Sequence, residues 1–256
     1  MTNSLRTLLE GLIDYAGLFP PAALPMHDAL RNYIRYRKSD HAWALGRFVV
    51  AAERLHEVPP DFPVTVLWST GAPPEVEVLE AKASSVEEIE RIAADRGDAT
   101  VYVEIRDLEL VDALAKHGLR AKIRTGGVTI EAFPPIEDIA AFLRKCREAG
   151  VPFKATAGLH HPLRCVKPLT YDRDAPTGTM HGFLNVFLAA AMPDHADAIL
   201  IEEDPASIRF DDEGVSWRDQ RVSTEELATM RREFAISFGS CSFEEPIADL
   251  QAFGWL

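Results

Sequence analysis

The run from Leu119 to Gly158, LRAKIRTGGVTIEAFPPIEDIAAFLRKCREAGVPFKATAG, carries the reading of the fold. It opens on Leu119–Arg124, where apolar and cationic residues alternate. Alternation with period two belongs to a strand whose two faces meet different surroundings. From Ile136 to Ala149 the apolar spacing becomes helical, and Gly150 ends it, glycine being the residue that most readily stops a helix. Val151–Ala157 is a second short strand. Strand, helix and strand in that order make the parallel βαβ unit.

The same alternation extends outward in both directions. Strands are expected at Arg47–Ala52, Val64–Trp68, Val76–Ala81 and Thr100–Ile105 before this run, and at Ala198–Glu202 and Phe234–Phe238 after it. Helices are expected at Met26–Lys38, from the Ser85 cap to Asp95, at 107–117, at Met180–Met192, from the Ser223 cap to Glu233, and at Glu244–Ala252. Ser85 with Glu88, and Ser223 with Glu226, have capping-box spacing. Eight short strands mostly separated by helices predict a single α/β domain over residues 1–256, a TIM-like (β/α)8 barrel. The chain of 256 residues suits a fold that takes roughly 250. Residues 1–40 read as an N-terminal helical extension, broken at Gly17 and Pro20-Pro21. Two places depart from the simple repeat. Only STGAPPE separates Trp68 from Val76, too little for a crossover helix, so the barrel is expected to be irregular between its second and third strands. Ser207–Trp217, with an Asp-Glu-Gly turn, reads as an inserted surface hairpin.

A formal net charge of -13 argues against a general nucleic-acid surface. No apolar run approaches a membrane span, and the N-terminus lacks the apolar core of a signal peptide. Three cysteines without CxxC spacing suit a reducing cytoplasm. The expected partner is a small molecule, with a homo-oligomer compatible with the composition and neither nucleic acid nor membrane implied.

Period two also sorts the polar residues. With Leu119, Ala121 and Ile123 facing helices, Lys122 and Arg124 point into the barrel. With Val101, Val103 and Ile105 outside, Glu104 and Arg106 point in. With Phe153 and Ala155 outside, Lys154 and Thr156 point in. Glu80 and Lys82 share a face. Many charges inside a barrel cost more than apolar filling, so the set reads as a site, with a structural ion-pair network as the competing reading. Near the strand ends lie Thr125-Gly126-Gly127, able to present backbone N–H groups to an anion. His160, His161 and Arg164 follow the Lys154 strand, His181 and Asn185 open the Met180–Met192 helix, and Glu202 and Ser240 lie at later strand ends. Adjacent His160 and His161 face opposite ways in an extended segment, and no HxH or HExxH spacing occurs. No metal ligand set and no cofactor is therefore assigned, a divalent metal remaining the lesser alternative. Cys241 reads more readily as an inert buried thiol than as a nucleophile.

The FKATAG run, Phe153–Gly158, resembles the Schiff-base strand of class I aldolases of the deoxyribose-phosphate aldolase type, a Phe-x-Lys-Thr-Ser-Thr-Gly setting on strand six of a (β/α)8 barrel. KIRTGG, Lys122–Gly127, is similar to that family's second lysine motif, Lys-x-Ser-Gly-Gly, although here it precedes the first and two residues replace the single spacer. The resemblance implies Lys154 as an imine-forming lysine. The residues by themselves allow two uses of such lysines: a neutral amine that attacks a carbonyl, or a cation that clamps an anion. The expectation is a lyase of aldolase type acting on a small anionic carbonyl or sugar-like compound. Lys154, Lys122, Glu104 and Glu202 are its catalytic candidates. Arg124, Thr125, Gly126, Gly127, Thr156, His160, His161, Arg164, His181, Asn185 and Ser240 are its binding candidates. A non-covalent or metal-assisted isomerase, lyase or hydrolase, or a ligand-binding barrel without turnover, is the alternative.

Overall fold

Eight parallel strands close on one another, and the strand that closes them lies in the N-terminal segment. The computed structural model describes residues 1–69 and 71–256. The barrel strands are β1 (Ile13–Tyr15), β2 (Leu45–Ala51), β3 (Val64–Leu67), β4 (Val78–Lys82), β5 (Thr100–Glu104), β6 (Arg120–Arg124) and β7 (Phe153–Thr156). A hairpin of β8 (Cys165–Pro168) and β9 (Thr177–Met180) follows, then a three-stranded antiparallel sheet of β10 (Ile208–Phe210), β11 (Gly214–Trp217) and β12 (Gln220–Ser223). Last comes β13 (Ala235–Ser240), which pairs with both β7 and β1. The closed order is β1-β13-β7-β6-β5-β4-β3-β2. The helices are α1 (Asn3–Leu9), α2 (Met26–Tyr36), α3 (Val86–Asp95), α4 (Val111–Lys116), α5 (Ile136–Glu148), α6 (Phe183–Ala191), α7 (Ala196–Leu200), α8 (Thr224–Glu233) and α9 (Glu244–Ala252).

The expected (β/α)8 barrel is thus present, with two corrections to its strands. Residues 1–40 are more than a helical extension, because Ile13-Asp14-Tyr15 is the first barrel strand. Three residues are too few to show a period, which hid it. Ala198–Glu202 is not a strand; α7 ends at Leu200 and Glu202 lies beyond it. Four apolar residues, Ala198–Ile201, bounded by Asp197 and Glu202, fit a buried helical turn as well as a strand. The count shifts accordingly. Lys122 stands on the sixth barrel strand and Lys154 on the seventh, and the short link joins the third and fourth. That link is parallel. An extended chain over 68–77 reaches roughly 30 Å, enough to return along one short strand without a helix. Thr70, inside the link, lies outside the described residues. The expected Ser207–Trp217 hairpin forms, as β10 and β11, and β12 adds a third strand.

Apolar residues on the outer faces of the strands make the main core. Phe153 packs edge-on against Phe142 and Phe234, and Phe238 stacks on Phe183. The almost wholly apolar α6 is buried all round, as its composition requires. The capping box at Ser223 and Glu226 starts α8 as expected. No described helix is long and apolar enough to cross a membrane.

Candidate active site

The barrel interior is filled by charge where apolar layers are usual. Lys122 and Lys154 are register partners on β6 and β7, and both are buried. Two ammonium groups side by side in a dry interior repel strongly, so each needs a carboxylate. Glu80 on β4 supplies one to both. Its Oε1 lies 2.5 Å from Lys154 Nζ and its Oε2 2.5 Å from Lys122 Nζ. Asp14 on β1 completes the lower half, with Oδ2 2.7 Å from Lys154 Nζ and accepting from Ser237 Oγ at 2.9 Å. Its Oδ1 accepts from the Arg47 backbone N–H at 2.7 Å. A side chain at Gly46 would strike this carboxylate, since its Cβ would lie 2.3 Å from Asp14 Oδ1. Glu104 on β5 completes the upper half, 3.2 Å from Lys122 Nζ and 3.0 Å from Arg124 Nε. The chain Asp14–Lys154–Glu80–Lys122–Glu104–Arg124 alternates in sign and sums to zero.

Burial disfavours the charge on Glu80, but the two lysines outweigh that and hold its carboxyl down at about 2. Burial likewise opposes the charge on Lys154, and Asp14 and Glu80 override it, holding the ammonium well above the ordinary lysine value. Glu104 is lowered by Lys122 and Arg124 against its own desolvation. The folded state therefore binds fewer protons at Glu80 than the unfolded chain between about pH 4.5 and 2. The stability this provides is complete above the unfolded value and is lost as pH falls through that window. A displacement of this size corresponds to roughly 3 kcal/mol. Denaturant midpoints measured from pH 6 to 2.5 should fall steeply below pH 4.5. Glu80→Gln should flatten that limb, and an unchanged slope in the variant would assign the acid sensitivity elsewhere.

Two cavities open at the carboxyl ends of the strands. One, about 300 Å³, is lined at its floor by Glu80 and Lys122 and around its wall by Arg124, Thr156, His160 and Cys241, with Phe19, Pro20 and Pro21 on one side. The second, about 600 Å³, lies under the β3–β4 link, with Trp68, Lys82 and Arg91 on its wall and Glu80 and Lys122 again on its floor. Between β2 and β3 only a short 3-10 turn, Ala52–Glu57, replaces a helix, which leaves this side open. Lys154 lines neither. It borders a separate cavity of about 290 Å³ with Asp14, Arg47, Tyr102 and Ser237, toward the amino ends of the strands. Its Nζ also lies 5.3 Å from the centre of the Tyr102 ring.

Lys122, Arg124, Gly127, Thr156 and His160 therefore meet at the mouth, with Glu104 bonded behind them. The remaining candidates do other work. Thr125 Oγ1 donates to the Ala157 carbonyl at 2.7 Å, tying the β6 and β7 ends together. Gly126 and Gly158 touch there, and a Cβ on Gly158, at φ +75°, would lie 2.8 Å from Gly126 Cα. Asn185 accepts from the Arg164 N–H at 2.8 Å and donates to the Ile199 and Glu202 carbonyls. Arg164 pairs with Glu203. His161 pairs with Asp249 at 2.6 Å, and His181 Nε2 donates to the Pro134 carbonyl at 2.9 Å. Ser240 is buried and its hydroxyl accepts from the Ser242 N–H. Glu202 does not reach the mouth. It sits under the inserted sheet, accepting from Trp217 Nε1 and Arg218. Its expected place rested on a strand that is a helix. Asp14 and Glu80 hold the network together but were not among the named candidates. The phase that put Glu80 beside Lys82 on one face was the available signal for it. Among the described residues, no group of three or more His, Cys, Asp or Glu is arranged to hold a metal ion. Protein-family models and curated proteins provide no match to the chain.

Proposed function

We propose that the barrel is a cytoplasmic enzyme acting on a small anionic carbonyl or sugar-like compound, by lyase or aldolase-type chemistry, with Lys122 as the amine offered to the substrate. The observation that carries this reading is that Lys122 forms the floor of both mouth cavities while Lys154 lies beneath Glu80. It transfers the reactive role expected of Lys154 to the neighbouring lysine. Arg124, at the rim, binds the substrate's anionic group. Glu104, 3.2 Å away, relays a proton from Lys122 to the carbonyl oxygen as the amine adds to the carbonyl carbon, so that this oxygen can depart as water. Loss of water then leaves an iminium group, which draws electrons from the adjacent carbon–carbon bond. Lys154 remains an ammonium throughout and keeps Glu80 ionised.

The ion pairs favour a second reading. Lys122 already has two carboxylates in contact, and it can remain an ammonium that stabilises an enolate oxygen without forming a bond. One experiment separates the two. The protein is incubated with borohydride and a panel of small aldehydes, 2-oxo acids and sugar phosphates, and its adducts are mapped by mass spectrometry. An adduct on Lys122 that is lost in Lys122→Met supports the imine. Turnover of a panel compound without any lysine adduct supports the ammonium. An adduct on Lys154 alone would return the reactive role to that residue.

A further inference from the structure

The mouth holds a second reactive group that the lysine reading does not use. Cys241 follows β13 and lines the 300 Å³ cavity together with His160. Its Sγ lies 3.8 Å from His160 Nε2. The other ring nitrogen, Nδ1, lies 2.8 Å from Glu245 Oε2. Tyr171, in the loop between β8 and β9, donates to the same carboxylate oxygen at 2.8 Å and approaches the sulfur at 3.7 Å. A thiol, an imidazole in reach of it and a carboxylate that orients the imidazole are the arrangement that activates a cysteine nucleophile.

We propose that Cys241 is a nucleophilic thiol paired with His160, and that it forms a reversible covalent bond to the carbonyl carbon of small anionic aldehydes or 2-oxo acids bound at the barrel mouth. Sulfur supplies the electron pair of the new C–S bond. The C=O π pair moves to oxygen, which takes the proton from His160 Nε2. Nothing is oxidised or reduced and no group leaves, so reversal regenerates the pair. Only the substrate class rests on the proposed function; the reactivity of the thiol does not.

The surroundings agree with an imidazolium beside the sulfur. Burial pulls His160 down, but Cys241 and Glu245 outweigh it and raise the ring to about 9. The titratable and charged groups around the pair are Glu245 from α9, the Tyr171 hydroxyl from the hairpin loop, Tyr15 on β1, the His161–Asp249 pair alongside, and Glu80, Lys122 and Arg124 in the cavity lining. The other two cysteines lack such partners. Burial pushes the Cys146 thiol up to about 12 and the Cys165 thiol up to about 11.

The test is iodoacetamide labelling of the full chain, followed by peptide mapping, with Cys146 and Cys165 as internal references. An ordinary thiol reacts about 50-fold more slowly at pH 6.5 than at pH 8.5, in proportion to its thiolate. Cys241 should slow by less than about 5-fold over that range, and should lead the other two at pH 6.5. His160→Gln should restore the steep dependence. Glu245→Gln, a change at a partly exposed side chain, should move the profile the same way if the first variant does not fold. Millimolar glyoxylate should protect Cys241, and [¹³C]glyoxylate should show a thiohemiacetal carbon by NMR that is absent in Cys241→Ser. A steep profile in the wild-type protein, or a flat one that survives both variants, overturns the thiol–imidazole pair. Failure of glyoxylate to protect overturns the carbonyl adduct. If Lys122 is never trapped but Cys241 behaves as described, the imine reading falls and this one stands.

Discussion

Lys154→Met lowers the free energy of unfolding at pH 7 by about 3–5 kcal/mol, the range for breaking a buried ion pair from one side. Methionine nearly matches the volume of lysine, so little of this is a cavity. The cost comes from what remains. Glu80 keeps Lys122, but Asp14 loses its one ion-pair partner among the described residues while staying buried. Its hydrogen bonds from Arg47 N–H and Ser237 Oγ do not balance a full charge in a dry interior. Urea denaturation followed by circular dichroism measures the loss. The pH dependence identifies its cause. A buried carboxylate without its cation takes up a proton more readily when folded than when unfolded. The folded variant then binds more protons, so lowering the pH from 7 to 5 stabilises it relative to wild type. The deficit should shrink by at least about 1 kcal/mol over that interval, and Asp14→Asn in the same background should recover a similar amount. A deficit below about 1 kcal/mol at pH 7 would mean that the network contributes little.

Lys122→Met has the opposite profile. Every carboxylate around it keeps a cation: Glu80 retains Lys154, and Glu104 retains Arg124 at 3.0 Å and Lys82 at 4.0 Å. The stability cost is therefore only about 1–2 kcal/mol, from lost hydrogen bonds. The effect on chemistry is large, because this ammonium or amine stands at the floor of the mouth. For any compound the wild-type protein turns over, kcat should fall about 10²–10³-fold or more. Lys154→Met, assayed at pH 5 to 6 where it is better folded, should retain more of that activity. Steady-state kinetics of the two variants beside their denaturation curves make the comparison. A variant at Lys122 that keeps wild-type kcat would remove this residue from the reaction and leave the mouth to Cys241 and His160.

The two lysines were legible as inward-facing residues in LRAKIR and VPFKAT, and so was Glu104 in TVYVEI. Their division of labour was not. Which lysine faces the mouth depends on how far up the barrel each side chain sits, and that depends on which carboxylate reaches it from across the interior. Glu80 is two strands away from Lys122 and Asp14 is two strands from Lys154 in the closed order. No local pattern records such distances. His160, Tyr171 and the Cys241–Glu245 stretch come from three separate segments, and the proposed thiol–imidazole pair exists only where they meet.

By itself the sequence determined the α/β alternation, the barrel class and the inward side of the Thr100–Ile105, Leu119–Arg124 and Val151–Ala157 strands. The physical reason is that these follow from a period of two against one of 3.6, which any stretch of six or more residues displays. Tertiary structure alone decided that Ile13-Asp14-Tyr15 is a strand and Ala198–Glu202 is not. Three residues show no period, the apolar run Ala198–Ile201 fits a helical turn as well as a strand, and ring closure with β13 and β2 assigns β1 its role. It also decided the register that stacks six alternating charges through the barrel, because a hydrogen-bonded ladder and a closed ring set that register together.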